Sequence, residues 1–215
     1  MNTNIDAVTI CNRALVSIKA ETIENLSEDT PSAIACNALY PAIVESLLSG
    51  YKWNFAQREA ALALVSDITV KDWDYVYKYP DECLEILGIW YDKRYEEPPK
   101  YQVQYAAQID ASVICTNREK AILQYTGNIT NPAQFSVLFR TAVQNQLALQ
   151  LLRPLNSSIT DAKMFETQFN KAVFEASTQN ARASNPKING INYLKQVRRG
   201  YPVNYDYTDE ENRKN

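Results

Sequence analysis

Histidine is absent from this 215-residue chain, and glycine is scarce, with 5 residues where average usage of about 7% predicts about 15. Without His, the commonest general base near neutral pH and the commonest metal ligand are both missing, so any acid–base chemistry falls to other groups. Gly50, Gly88, Gly127, Gly190 and Gly200 each stand alone, which excludes the clustered-glycine loops that cradle phosphates. No window approaches about 18 uncharged apolar residues, so no membrane partner or span is expected. The opening stretch Met1–Val16 has no basic start, and Asp6 and Asn12 interrupt its apolar residues, so no signal peptide is expected. The 4 cysteines (Cys11, Cys36, Cys83, Cys115) are far apart and form no CxxC pair. With no secretory signal and no His to complete a site, the expectation is buried free thiols, no metal and no cofactor.

What is present is an ordinary globular composition, 46% apolar and 22% charged. The length suits one domain, or one with an extension, burying roughly 70% of the unfolded surface. The net charge of −3 hides an asymmetry. Residues 1–107 carry 9 basic and 16 acidic side chains, residues 108–215 carry 13 and 9. From Ala176 to Tyr205 there are Arg182, Lys187, Lys195, Arg198 and Arg199 and no acid, a block suited to a solvated arm or an acidic partner.

Ile5, Val8, Cys11, Leu15 and Ile18 recur at helical spacing, with Thr3 and Asp6 placed for a capping box. After a polar loop, Ile23–Asp29, the pair Thr30-Pro31 predicts a second helix to about Ser49, with Gly50 as its stop and a kink at Pro41. From Tyr51 to Thr126 aromatic and β-branched residues dominate. The runs Glu85–Tyr91, Tyr101–Tyr105, Ser112–Cys115 and Ala121–Tyr125 alternate, and polar connections bound them, as in antiparallel strands. Helix is predicted again from Asn131-Pro132 to about Arg153, with Phe135, Leu138, Phe139, Ala142, Val143, Gln146 and Leu149 as its stripe. A fourth helix is predicted from near Ser158, turning Met164, Phe165, Gln168, Phe169, Ala172, Val173 and Ala176 inward. The expected class is α+β. Residues 1–50 and 131–184 form a helical bundle from both ends of the chain, 51–130 an inserted small antiparallel β-sheet subdomain, and 185–215 an extended C-terminal arm.

Carboxylate pairs are the first chemistry to weigh, because Asp and Glu can catalyse without His. Glu28/Asp29, Asp72/Asp74, Asp81/Glu82 and Glu96/Glu97 all fall in predicted loops, where adjacent acids are ordinarily solvated surface. They motivate a rival reading, a carboxylate-dependent glycan hydrolase, virion-borne in the setting that the family resemblance given below implies. No Gly-x-Ser-x-Gly turn is present, and a serine–lysine arrangement stays open. The basic segment Arg182 to Arg199 motivates another rival, a nucleic-acid-binding module. Aromatic residues are the stronger signal. Tyr51–Phe55 and Trp73–Pro80 crowd rings into short stretches, reading as core packing for Trp53 and Phe55. In the tail, Arg198, Arg199, Tyr201, Tyr205 and Tyr207 combine the residue types that concentrate binding energy at protein interfaces, within a segment too poor in apolar residues to fold alone.

Three local patterns resemble the podophage head-to-tail adaptor family, the tail tubular protein A group. The first is an opening helix, a short loop and a second helix ending Tyr40-Pro41-Ala42-Ile43-Val44-Glu45-Ser46-Leu47-Leu48. The second is Trp53-Asn54-Phe55-Ala56-Gln57-Arg58-Glu59-Ala60-Ala61-Leu62. The third runs from Trp73 through Tyr75, Tyr77 and Pro80 to Ile86. Pro41 departs from the family pattern, and residues 185–215 carry no family motif. The resemblance implies a structural protein, not an enzyme. It implies a twelve-membered homo-oligomeric ring in the virion neck, assembled in the host cytoplasm, that binds the portal above and the tail nozzle or tail tube below. Transient contact with genomic DNA in the central channel follows from that place.

Overall fold

The computed structural model describes residues 5–90, 99–156 and 161–183, the last three as backbone only. The chain divides into two compact units, Met1–Asn180 and Ala181–Asn215. The first is mixed α+β, with four helices and two three-stranded antiparallel sheets. The single sheet expected from the alternation is therefore two.

Helix α1 (Ala7–Ser17) starts at Asp6, whose carboxylate accepts from the Thr9 N–H at 2.8 Å and from the Thr9 hydroxyl at 2.7 Å. Asp6 is thus the cap itself, not the far member of a box begun by Thr3, which lies outside the described residues. Ile10, Cys11, Ala14 and Leu15 face the core at three- and four-residue steps. Asn12 clamps the following loop, donating to the Ile23 carbonyl and accepting from its N–H, both at 2.8 Å. That clamp inserts Ile23 into the core, so the loop is not wholly polar as its composition suggested.

Helix α2 (Pro31–Gly50) is capped by the Thr30 hydroxyl with Pro31 in its first turn, as the sequence predicts. Pro41 lies inside it, and the helix runs through without interruption. Proline removes the donor that the Asn37 carbonyl would otherwise receive, but both residues are on the exposed face, where water can replace it. Among the described residues α2 is the one helix long and apolar enough to cross a membrane by length and composition. Its Ala33, Cys36, Tyr40, Ile43, Val44, Leu47 and Leu48 are instead buried in the protein core.

The Asn131-Pro132 signal marks a single 3₁₀ turn, Pro132–Gln134, with Asn131 accepting from the Ala133 N–H. Helix α3 (Val137–Leu151) begins after it, capped by Ser136. Its buried stripe follows Phe139, Ala142, Val143, Leu147, Ala148 and Leu151; Gln146 and Leu149 are only half-buried, because the stripe drifts round the helix at 3.6 residues per turn. Helix α4 (Ala162–Ala183) buries Phe165, Ala172, Val173 and Ala176, while Met164 and Gln168 face outward against expectation. Helices α1, α2 and α3 pack on one another, and side chains of all four helices share one hydrophobic core.

The first sheet has the order β1 (Gln57–Ala61), β6 (Ile122–Gly127), β3 (Cys83–Trp90). The second has β2 (Tyr75–Lys78), β5 (Ala111–Thr116), β4 (Tyr101–Ala106). Strands β3 to β6 match the four predicted runs within a few residues, whereas β1 and β2 are additional. Tyr77 and Ile114 of the second sheet meet Ile89, Leu123 and Tyr125 of the first in one buried cluster, so the sheets pack face to face. Residues 63–65 continue from β1 to pair with the outer side of β2, where Val65 N–H donates to the Val76 carbonyl at 2.8 Å and Lys78 N–H to that of Ala63 at 2.9 Å. The opposite face of β5, Val113 and Cys115, is covered by Ile68 with Val65, Val70 and Trp73.

Candidate protein interface

Arg198, Arg199, Tyr201, Tyr205 and Tyr207 lie outside the described residues. The motif residues are all described, and they are chiefly structural. Trp53 is 2% exposed, its indole N–H donates to the Leu47 carbonyl at 2.6 Å, and its ring meets Phe139 edge-on at 4.8 Å. Phe55 joins Phe135 and Phe139 to extend that cluster. These rings tie the end of α2 to α3, and edge-to-face contacts of this kind add to plain area burial.

Arg58 does not present its charge to a partner. Its guanidinium donates to the carbonyls of Phe55 and Gln57, both at 3.0 Å, and to Gln134 at 3.4 Å. A Cβ on Gly127 would sit 3.0 Å from the Arg58 Cγ, so the missing side chain at 127 is what lets the Arg58 stem cross β6. Trp73 is half-buried and donates to Gln102 at 3.2 Å. Tyr77 is 2% exposed, its hydroxyl donates to the Arg118 carbonyl at 2.9 Å, and burial raises its pKa. Tyr75 stacks beside it at 6.4 Å. Pro80 opens the turn into β3, its carbonyl accepting from the Cys83 N–H at 3.0 Å.

Of the described carboxylate pairs, Glu28 and Asp29 line a surface hollow with Leu26, Ser27, Ile34, Asn37 and Ala38. Glu28 accepts from the N–H groups of Glu24 and Asn25 and braces its own loop. Asp81 is exposed and pairs with Lys78 at 3.3 Å, while Asp72 and Asp74 are also exposed. Glu96 and Glu97 lie outside the described residues. Ser49 and Lys52 do stand at Ser-x-x-Lys spacing, but the Ser49 hydroxyl donates to the Glu45 carbonyl and Lys52 is exposed at the helix end. Among the described residues no cluster of three His, Cys, Asp or Glu side chains could hold a metal ion. All four cysteines are buried and unbridged, as expected. Cys11 of α1 and Cys36 of α2 share the helical core, and the neighbouring thiol together with burial pushes the Cys11 thiol up.

No protein-family model matches this chain, and no curated protein does.

The exposed aromatics are elsewhere: Tyr51 and Phe174 in the helical region, and three on the sheets, where sequence reasoning saw only strand residues. Trp90, at the end of β3, is 43% exposed beside Ile122 on the outer face of the first sheet. Its indole N–H donates to Gln124, which in turn donates to Glu59, so one polar chain crosses three strands and holds the ring in place. On β4, Tyr101, Val103 and Tyr105 share a face with Thr116, Ile114 and Ser112 of β5. That face belongs to the inter-sheet core, yet on β4 it is uncovered. Tyr105 also donates to the Asp110 carboxylate, which keeps its hydroxyl protonated to higher pH. The signal for both patches was in the sequence as alternation, but alternation does not say which face a second layer covers.

Proposed function

We propose that this chain is a structural virion protein of the podophage head-to-tail adaptor kind, acting through shape and contact and not through catalysis. In this reading residues 1–50 and 131–184 form the helical wall of a twelve-membered ring, the β-rich segment 51–130 meets a neighbouring copy, and the arm 185–215 ties copies together. The ring joins portal to tail nozzle or tail tube, and genomic DNA passes loosely through its channel.

The observation that carries this reading is the division of labour among the aromatics of the segment 51–130. Trp53, Phe55 and Tyr77 are spent inside the protein, while the sheets leave Trp90, Tyr101 and Tyr105 outward, preordered on strands. Rigid exposed aromatics are the residues from which interface hot spots are made. Copies meeting through two different surfaces follow one another around a ring when the rotation closes.

The test is assembly. The purified chain is imaged alone and after mixing with portal rings, and closed rings that cap the portal are the expected result. A persistent monomer that leaves portal rings bare overturns the reading.

A further inference from the structure

Strand β4 lies at an edge of the second sheet, and among the described residues its outer side has no strand partner. The other edges carry features that discourage strand addition. The outer side of β2 is covered by residues 63–65; β1 carries Arg58 and Glu59; β3 carries Glu85 and two register irregularities. Strand β4 has none of these. Tyr101–Ala106 pairs with β5 over six consecutive positions without a bulge, and it bears no charge. Tyr101, Val103 and Tyr105 stand on one face of it, 39%, 43% and 62% exposed.

The chain contains the same pattern a second time. Tyr201-Pro202-Val203-Asn204-Tyr205 places Tyr, Val and Tyr at the same alternate positions as Tyr101-Gln102-Val103-Gln104-Tyr105. The second copy of the pattern lies outside the described residues. Pro202 has no N–H and is compatible with a strand bonded on one side only. The pattern is symmetric about its valine, so pairing sets Val203 opposite Val103 and Tyr opposite Tyr whichever way the strand runs. Aromatic and β-branched residues are favourable cross-strand partners. Charge favours the approach as well: Met1–Asn180 carries 15 basic and 21 acidic side chains, whereas the stretch leading into Tyr201 holds Arg182, Lys187, Lys195, Arg198 and Arg199 without an acid.

We propose that Tyr201–Tyr205 of one copy adds as a strand to the β4 edge of a second copy, covering Tyr101, Val103 and Tyr105. This rests on the ring reading and deepens it, because an arm given by one copy and an edge offered by the next is a heterologous contact.

Full-length chains carrying Val103→Cys are co-expressed with full-length chains carrying Val203→Cys and exposed to oxidised glutathione. The two thiols lose their hydrogens to form one disulfide, and glutathione disulfide is reduced to two thiols. The buried native cysteines do not compete. The expected product is a reductant-sensitive dimer of twice the chain mass. Replacing Val203→Cys by Asn204→Cys puts the thiol on the other face, beyond the roughly 4 Å between Cβ atoms that a disulfide needs, and lowers the yield at least about tenfold. Tyr105→Lys, at the most exposed of the three β4 positions, lowers it severalfold with an unchanged circular dichroism spectrum. No cross-link, or equal yields from the Val203 and Asn204 variants, overturns the proposal. So does a chain carrying both Val103→Cys and Val203→Cys that closes only on itself. Imaging the same samples separates the two claims. Rings without cross-links remove strand addition and leave the ring, while cross-linked dimers that never close support strand addition and remove the ring.

Discussion

Trp53 and Trp90 stand in different regions of the molecule, one where helix meets helix and the other on a sheet. Trp53 is 2% exposed, bonded to the Leu47 carbonyl and ringed by Phe55 and Phe139. Trp90 is 43% exposed, held flat by Gln124. The helical region encloses Trp53, Phe135, Phe139 and Phe165 in one large core, though Tyr51 after α2 and Phe174 on α4 stay exposed. The sheet region has smaller cores, between its layers and under residues 65–73, and it leaves aromatics at its margins. The difference shows how one residue type serves stability in one place and surface in another. A helix can turn its single stripe fully inward, whereas each strand has two faces and a two-layer sheet covers only some of them.

The sharpest way to break this contrast is to truncate both tryptophans. Trp53→Ala removes a fully enclosed ring and strands the Leu47 carbonyl, with an expected loss of about 3–5 kcal/mol. Trp90→Ala gives up only partly buried area, about 1–2 kcal/mol, with a larger effect on assembly than on folding. Urea titration of each variant measures both values. Equal losses would mean that the sheet margin is core after all.

A second comparison uses two buried tyrosines that differ in one bond. Tyr77 donates to the Arg118 carbonyl, so Tyr77→Phe is expected to cost about 1 kcal/mol. Tyr40, on α2, is 7% exposed and its hydroxyl has no hydrogen-bond partner among the described residues, so Tyr40→Phe is expected to leave stability unchanged or raise it by up to about 1 kcal/mol. Opposite signs in calorimetry support the assignment. A loss at Tyr40 would show that its hydroxyl is bonded in solution.

The smallest effect expected is at the start of α1, and it depends on pH. Bonds from the Thr9 hydroxyl and N–H hold the Asp6 carboxyl below its ordinary range. A depressed folded pKa contributes stability above the unfolded value, about 3.9, and that contribution is lost as pH falls through the folded value. Asp6→Ala should therefore cost about 1 kcal/mol or less at pH 7, and the gap from the unaltered chain should shrink by pH 3. A gap that stays constant would assign the loss to something other than the charged cap.

Local signals were the legible ones. Thr30-Pro31 and the spacing of Ile5, Val8, Cys11, Leu15 and Ile18 mark helices because capping and periodicity involve residues within one or two turns. Alternation marked β3 to β6 for the same reason. Strand β1 was hidden, since Gln57-Arg58-Glu59-Ala60-Ala61 has no β-branched or aromatic residue and becomes a strand by pairing with β6. Strand β2 was hidden inside an aromatic run that reads equally as loop or strand. Pro41 lies within a helix that continues past it, with the lost bond on the exposed face. Of the candidate interface, aromatic content was visible in the sequence, but the assignment went to the tail, and only the sheet packing shows Trp90, Tyr101 and Tyr105 uncovered.

By itself, then, the sequence determined the α+β class, the start of the second helix, the four strands with clear alternation and the burial of unbridged thiols. Each of these follows from composition or from neighbours a few residues apart. Tertiary structure alone decided that the strands split into two sheets, that residues 63–65 cross from one to the other, and that β4 is left with an open, uncharged edge. Three of the four described strand pairings join residues tens of positions apart, such as Val76 with Cys115 and Arg58 with Tyr125. Such choices depend on which layers bury the most apolar surface together, and no short window of residues records that outcome.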